Sequence, residues 1–209
     1  MLCGVILPVQ DSVAQGAGAA SASVKPNAGR PQPTPEQQKA AQDWFPLEKK
    51  CMEAVKAQAL PDAVNLCKQT LDMSMQAGDL TTHDQLSRTG SYQLYGHALL
   101  LAGKKQAALA QEYMAVDEAQ KCLTDRDQEY AMPYFWRGVV EANMGQNDAA
   151  LADYATAEAT HRKAIADLPV MKEKYGETLA AILKEHAALL DKMGRSDEAA
   201  KLRAEAAGL

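Results

Sequence analysis

Aromatic side chains are scarce in this sequence: two Trp, seven Tyr and two Phe make up 5% of 209 residues. Sheet proteins draw heavily on aromatic and β-branched residues, so the shortage argues against a large β domain. A 47% hydrophobic content led by alanine after residue 36 instead describes packed helices. Cationic charge is short as well, with 22 Lys and Arg against 27 Asp and Glu, a net charge of −5. No basic stripe with interleaved aromatics is present, and without that electrostatic footprint nucleic acid is not an expected partner. No apolar run reaches the roughly 18 residues of a membrane-spanning helix, and there is neither a glycine-rich phosphate loop nor a metal-ligand motif.

Cysteine and histidine are equally sparse. Cys3, Cys51, Cys67 and Cys122 never form CxxC, which leaves thioredoxin-like redox chemistry and zinc clusters without their spacing. His83, His97, His161 and His186 are scattered outside any HExxH or nucleophile motif. They read as surface or capping groups, and His161-Arg162-Lys163 as a solvated face of a mixed-charge helix. The expectation is a chain that is not an enzyme and has no cofactor and no metal. An active site assembled in space without a local motif is the remote alternative.

What is present divides the chain in three. Leu2 to Val9 is a short apolar run, followed by the small-x-small sites Ser12-Val13-Ala14 and Ala20-Ser21-Ala22. Residues 1–14 resemble the back half of a secretory signal peptide whose cationic front is missing, since the first cation is Lys25. A start codon placed too late, or a truncated gene, is the expected reason. Export to the periplasm or outside the cell is the expectation, with a cytoplasmic tail as the alternative. Residues 15–34 are mostly Ala, Gly, Ser and Pro and bury too little to offset their conformational entropy, which describes a disordered linker.

From residue 35 to 209 the signals are helical. Thr34, Pro35 and Gln37 combine an N-cap, a first-turn proline and a capping box. Pro46, Pro61, Gly78, Gly103, Pro133, Gly145, Pro169 and Gly194 punctuate the rest into helix lengths. Thr81 to Asp84 makes a second capping box, and Asn147 and Ser196 are placed as N-caps.

Internal repetition is the strongest feature. Gly138, Gly145, Ala150, Tyr154 and Ala157 form a ladder of small residues with one aromatic. Gly96, Gly103, Ala108, Glu112 and Ala115 repeat it, with Glu112 where an aromatic is expected and Tyr113 next to it. Ala187, Gly194, Ala199, Arg203 and Ala206 make a third copy, and Cys51, Gln58, Ala63, Cys67 and Thr70 a weaker fourth. The spacing resembles the tetratricopeptide repeat, TPR, over about residues 46 to 209. That resemblance implies an all-α fold of antiparallel helix hairpins stacked as a right-handed solenoid of about four repeats.

One departure concerns length. Ala63, Ala108, Ala150 and Ala199 are 45, 42 and 49 residues apart, against about 34 in the family. The surplus is close to whole helical turns, which predicts overlong second helices and either a less regular array or a compact bundle with a partly filled groove. Leu109, Val116, Leu123 and Tyr130 at heptad spacing predict one continuous helix through that stretch.

For function, the resemblance implies capture of a protein or peptide on a concave face built from first helices. Gln93, His97, Leu100 and Leu101 fall on that face in one repeat, and Met132, Phe135, Val139, Ala142 and Asn143 in the next. Consecutive Tyr134, Phe135 and Trp136 cannot all enter one core, so at least one reaches the surface or groove. Glu48, Met52, Gln93, His97, Phe135 and Val139 stand where chaperone-binding members carry a Lys and Asn clamp, which disfavours a chaperone-tail adaptor. Cys51 and Cys67 take contact positions on the two helices of one hairpin; in an exported chain they form a disulfide, and otherwise they are two small buried hydrophobes. Cys122 continues a stripe of small residues and reads as packing. An exported interaction scaffold is the first functional expectation, and a structural accessory subunit of a cell-envelope complex the second.

Overall fold

The computed structural model of the chain describes residues 33–78, 82–122 and 128–209, with the side chains of 82–87, 122, 128 and 129 outside that description. The segments read as a signal peptide and, apart from Pro33 and Thr34, as a linker lie outside it too, as do the capping role of Thr81 and the packing of Cys122. Among the described residues the fold is all-helical. It comprises α1 (Pro35–Lys56), α2 (Leu60–Ala77), α3 (Thr82–Leu101), α4 (Lys105–Cys122), α5 (Gln128–Met144), α6 (Asn147–Asp167), α7 (Lys172–Lys192) and α8 (Ser196–Ala207), with a 3-10 turn at Pro169–Met171 before α7.

The start of α1 follows from its capping box. The Gln37 backbone N–H donates to Thr34 Oγ1 at 3.2 Å, and the Thr34 N–H donates to Gln37 Oε1 at 2.9 Å. Gly78, Gly103, Gly145 and Gly194 end helices with φ between +71° and +78°, backbone that favours a residue without Cβ. Asn147 and Ser196 are the first helical residues rather than the caps; Gln146 and Arg195 precede them without a side-chain capping bond.

Two prolines do not break helices as the sequence suggests. Pro46 lies on the exposed side of α1, whose buried Ala40, Trp44, Glu48, Cys51 and Val55 run past it on the other side. Pro133 is buried inside α5. A proline removes one backbone hydrogen bond, and tertiary packing on both sides of it holds each helix through that loss. The expected continuous helix from Leu109 to Tyr130 is also corrected. Leu109 and Val116 belong to α4 and Tyr130 to α5, and these two helices pack against each other. Leu123 lies outside the described residues.

Helices pair in chain order. The α1–α2, α3–α4, α5–α6 and α7–α8 contacts are the most extensive, and α2, α4 and α6 each pack on the helix that follows. The odd helices also touch in succession, α1 on α3, α3 on α5 and α5 on α7. Small residues mark the closest approaches within pairs. Ala63, Ala108, Ala150 and Ala199 are all completely buried, as are Cys51 and Ala187 opposite. A Cβ on Gly138 would stand 3.0 Å from the Tyr154 ring and 3.2 Å from the Ala150 carbonyl oxygen. The long repeat spacing is shared rather than placed in second helices alone: α1, α3 and α7 have 22, 20 and 21 residues, and α2, α4 and α6 have 18, 18 and 21. The largest apolar core lies between α4 and α7, where Val116, Phe135, Tyr154, Ile182 and Leu189 meet.

Candidate partner-binding face

The residues selected from the sequence separate into a surface group and a core group. On α3, Gln93 and His97 are one turn apart and partly exposed. The imidazole of His97 lies against the indole of Trp136 on α5, with ring centroids 4.6 Å apart and planes inclined by 31°. Burial lowers the His97 pKa to about 4, so at neutral pH this pair is an uncharged aromatic surface. The Gln93 amide nitrogen Nε2 is enclosed and has no hydrogen-bond partner. Leu100 and Met144 pack beside Leu99, Ala108, Leu109 and Val140, while Leu101 is exposed. Asn143 is held in place: its Nδ2 donates to the Val139 carbonyl at 2.8 Å, and its own carbonyl accepts from Lys105 Nζ at 2.6 Å.

Phe135 is corrected by the structure. It is only 1% exposed and packs against Tyr154 and Trp136, with centroids 6.0 and 5.2 Å away. Met132, Val139 and Ala142 are partly buried against the same core. The helix rotation that turns Phe135 inward leaves Trp136 as the partly exposed ring, since Tyr134 is buried as well. The sequence pattern puts Phe135 on the face; the register of α5 against α6 exposes Trp136 instead. On α1, Glu48 is buried with Oε2 unpartnered, and burial pushes its carboxyl up to about 7.

The histidines are not surface groups throughout. His161 is 1% exposed, neither ring nitrogen has a partner, and burial lowers its pKa to about 4. The charged flanks Arg162 and Lys163 conceal that α7 covers this side of α6, where Tyr175 stands 6.5 Å from the His161 ring. His186 Nδ1 is 2.6 Å from Glu158 Oε1, and Arg162 links Glu158 to Glu205, at 3.1 and 3.0 Å, which ties α6 to α7 and α8. The side chain of His83 lies outside the described residues.

A second polar assembly sits where α4, α5 and α6 meet, and the sequence marks it only by the unexpected Glu112. Arg137 donates from Nε and Nη2 to the two oxygens of Asp153 at 2.6 and 2.7 Å. Its guanidinium lies over Tyr113 and Tyr134, 4.9 and 5.3 Å from the ring centroids. Tyr134 OH is 2.9 Å from Tyr130 OH and accepts from Gln120 Nε2 at 2.8 Å. Glu112 is completely buried with neither carboxyl oxygen hydrogen-bonded.

Cys51 Sγ and Cys67 Sγ are joined across α1 and α2, with Cα atoms 4.9 Å apart, inside the range a disulfide spans. Among the described residues no helix is long and apolar enough to cross a membrane, and no group of three or more His, Cys, Asp or Glu is placed to hold a metal. No family model matches this sequence, and no curated protein matches it.

Proposed function

We propose that this chain is an exported, non-enzymatic scaffold of TPR-like type, a right-handed stack of four hairpins that binds a protein or peptide on the face made by its first helices. The observation that carries the reading is the succession of contacts α1 to α3, α3 to α5 and α5 to α7, which gives the first helices one continuous side. On that side His97 and Trp136 offer an uncharged stacked pair, with the partly exposed Gln93 one turn along α3. Neutral aromatic surface favours apolar anchoring with modest polar specificity. Export draws support from the Cys51–Cys67 bond, since disulfides persist in oxidising compartments.

Selection of a displayed peptide library against the full chain tests this reading. Enriched peptides should lose at least about tenfold in affinity to Trp136→Ala, a typical loss for an anchoring aromatic, while helicity by circular dichroism is unchanged. Affinity should vary little between low and physiological salt, because exposed charge contacts are what salt screens. Binding that ignores Trp136→Ala, or falls steeply with salt, overturns it. The second reading, an accessory subunit of an envelope complex, is favoured by the burial of Phe135 and Glu48, which fill part of this side from within. One stoichiometric partner in a pull-down from native extract would select it.

A further inference from the structure

The junction between the second and third hairpins holds more acid than its one guanidinium can balance. Glu112 on α4, Glu141 on α5 and Asp153 on α6 are all buried around Arg137, and Asp153 takes its Nε and Nη2 donors. Glu141 feels the charges of both Asp153 and Arg137, and its Oε2 is unpartnered. Glu112 is wedged against α3, its Oε1 filling the space that a Gly96 Cβ would take. Among the described residues Arg137 is the cation that acts on Glu112 and Glu141; Lys105 of α4 reaches the Asn143 carbonyl of α5, and Arg88 of α3 pairs with Glu118 of α4. Tyr113 and Tyr134 flank Arg137; α3 contributes Gly96 and, farther along the same contact, neutral His97; α6 contributes Tyr154, which also senses Glu185 of α7. With all three carboxyls ionised the site would carry two uncompensated negative charges out of water, an arrangement that a close-packed interior does not tolerate.

We infer that this cluster is a proton-operated joint: protonated Glu112 and Glu141 allow the second and third hairpins to close, and loss of those protons loosens α4 from α5 and parts the His97–Trp136 stack carried by the same two hairpins. Burial holds the Glu112 carboxyl well above the usual carboxylate range and Glu141 at about 7, and Arg137 offsets this only in part. A carboxyl raised in the folded state adds stability that is complete below its unfolded pKa and is lost as pH rises through the folded value. The joint therefore tightens in mild acid and loosens above neutrality. Its mechanics rest on the buried carboxyls and the helices packed around them; only the consequence for a bound partner rests on the function proposed above.

Amide hydrogen exchange on the full chain between pH 5 and pH 8, corrected for intrinsic exchange, reads the joint without any ligand. Protection in α4 and α5 should fall with pH, approaching about tenfold per unit for each proton released on opening. Glu112→Met, which fills the space without a titrating group, should remove most of that fall, and Glu141→Gln part of it. Should Glu112→Met fail to fold, Glu112→Gln carries the same expectation. Wild-type protection that does not fall, or a fall that survives the Glu112 substitution and Glu141→Gln together, overturns the joint.

Discussion

Gly96 with Glu112, and Gly138 with Tyr154, are two pairs sixteen residues apart in successive hairpins, and they meet the same close approach with different chemistry. On Gly138 a ring and a backbone carbonyl fill the space where a Cβ would go; on Gly96 it is a carboxyl oxygen of Glu112. The first hairpin closes the same separation covalently, through Cys51 and Cys67. Helix spacing is thus set by the small residue, and the residue opposite is free to vary. What varies with it is the stimulus to which each contact responds. The first answers to redox state, the second to protons, and the third, being apolar and aromatic, to neither.

The sharpest way to break this comparison is to remove the covalent member. Closing a loop of this length is worth about 3 kcal/mol in the chain-entropy model, roughly 6–12 °C in Tm for a chain this size. Cys51→Ser should cost that amount, and Cys51→Ser/Cys67→Ser no more, because either change abolishes the one bond. Thiol counting on exported protein should find two free thiols fewer than after reduction. Additive losses in the two single variants, or full thiol reactivity, would falsify the bond.

A smaller effect separates the two glycines. Gly138→Leu should cost about 1–3 kcal/mol by overpacking and lower Tm by several degrees, since the Ala150 carbonyl cannot move aside. Gly96→Ala should be tolerated better in a Glu112→Ala background than alone, with a coupling of about 1 kcal/mol between neighbours in contact. Equal costs in both backgrounds would mean that Glu112 does not occupy this contact.

An effect that is absent at neutral pH and grows only in acid extends the comparison to the junction of α6 and α7, which buries a base instead of acids. His161 has its pKa lowered to about 4 by burial, so the unfolded chain binds its proton first. Stability from this site is present above about 6.5 and is lost as pH falls toward 4, at up to about 1.4 kcal/mol per unit. His161→Leu should flatten that acid limb, and the half-buried His97, whose pKa burial also lowers to about 4, should keep part of it. A melting profile between pH 6.5 and pH 4.5 that His161→Leu leaves unaltered would rule out the buried neutral ring.

Local chemistry was the legible part of this fold. The Thr34–Gln37 capping box and the four turn glycines act within a few residues, and each stands where the sequence places it. The small-residue ladder was equally readable, because side-chain size at fixed spacing survives changes of chemistry. Pro46 and Pro133 misled because a helix broken by local rules is carried through by packing on the side away from, or around, the proline. Leu109, Val116 and Tyr130 misled because two amphipathic helices in sequence keep one periodic pattern although the chain reverses between them. The candidate face was half legible: His97 and Gln93 are partly exposed, but the choice of Trp136 over Phe135 depends on how α5 is rotated, which no local signal encodes. His161 and Glu112 were hidden for a related reason. A charged neighbourhood in sequence says nothing of a helix from elsewhere that covers it.

Contact between the described helices never reaches past the next but one: α1 meets only α2 and α3, and α8 packs on α7. The chain pays little loop-closure entropy before its contacts reward it, and topologies of this kind fold quickly. Assembly can therefore keep pace with delivery of the chain from its N-terminal end, each hairpin docking on a finished predecessor. Cys51 and Cys67 lie within the first such unit, so in a chain delivered N-terminal end first to an oxidising compartment they meet before Cys122 arrives, and the order of delivery favours their pairing over one with that later thiol.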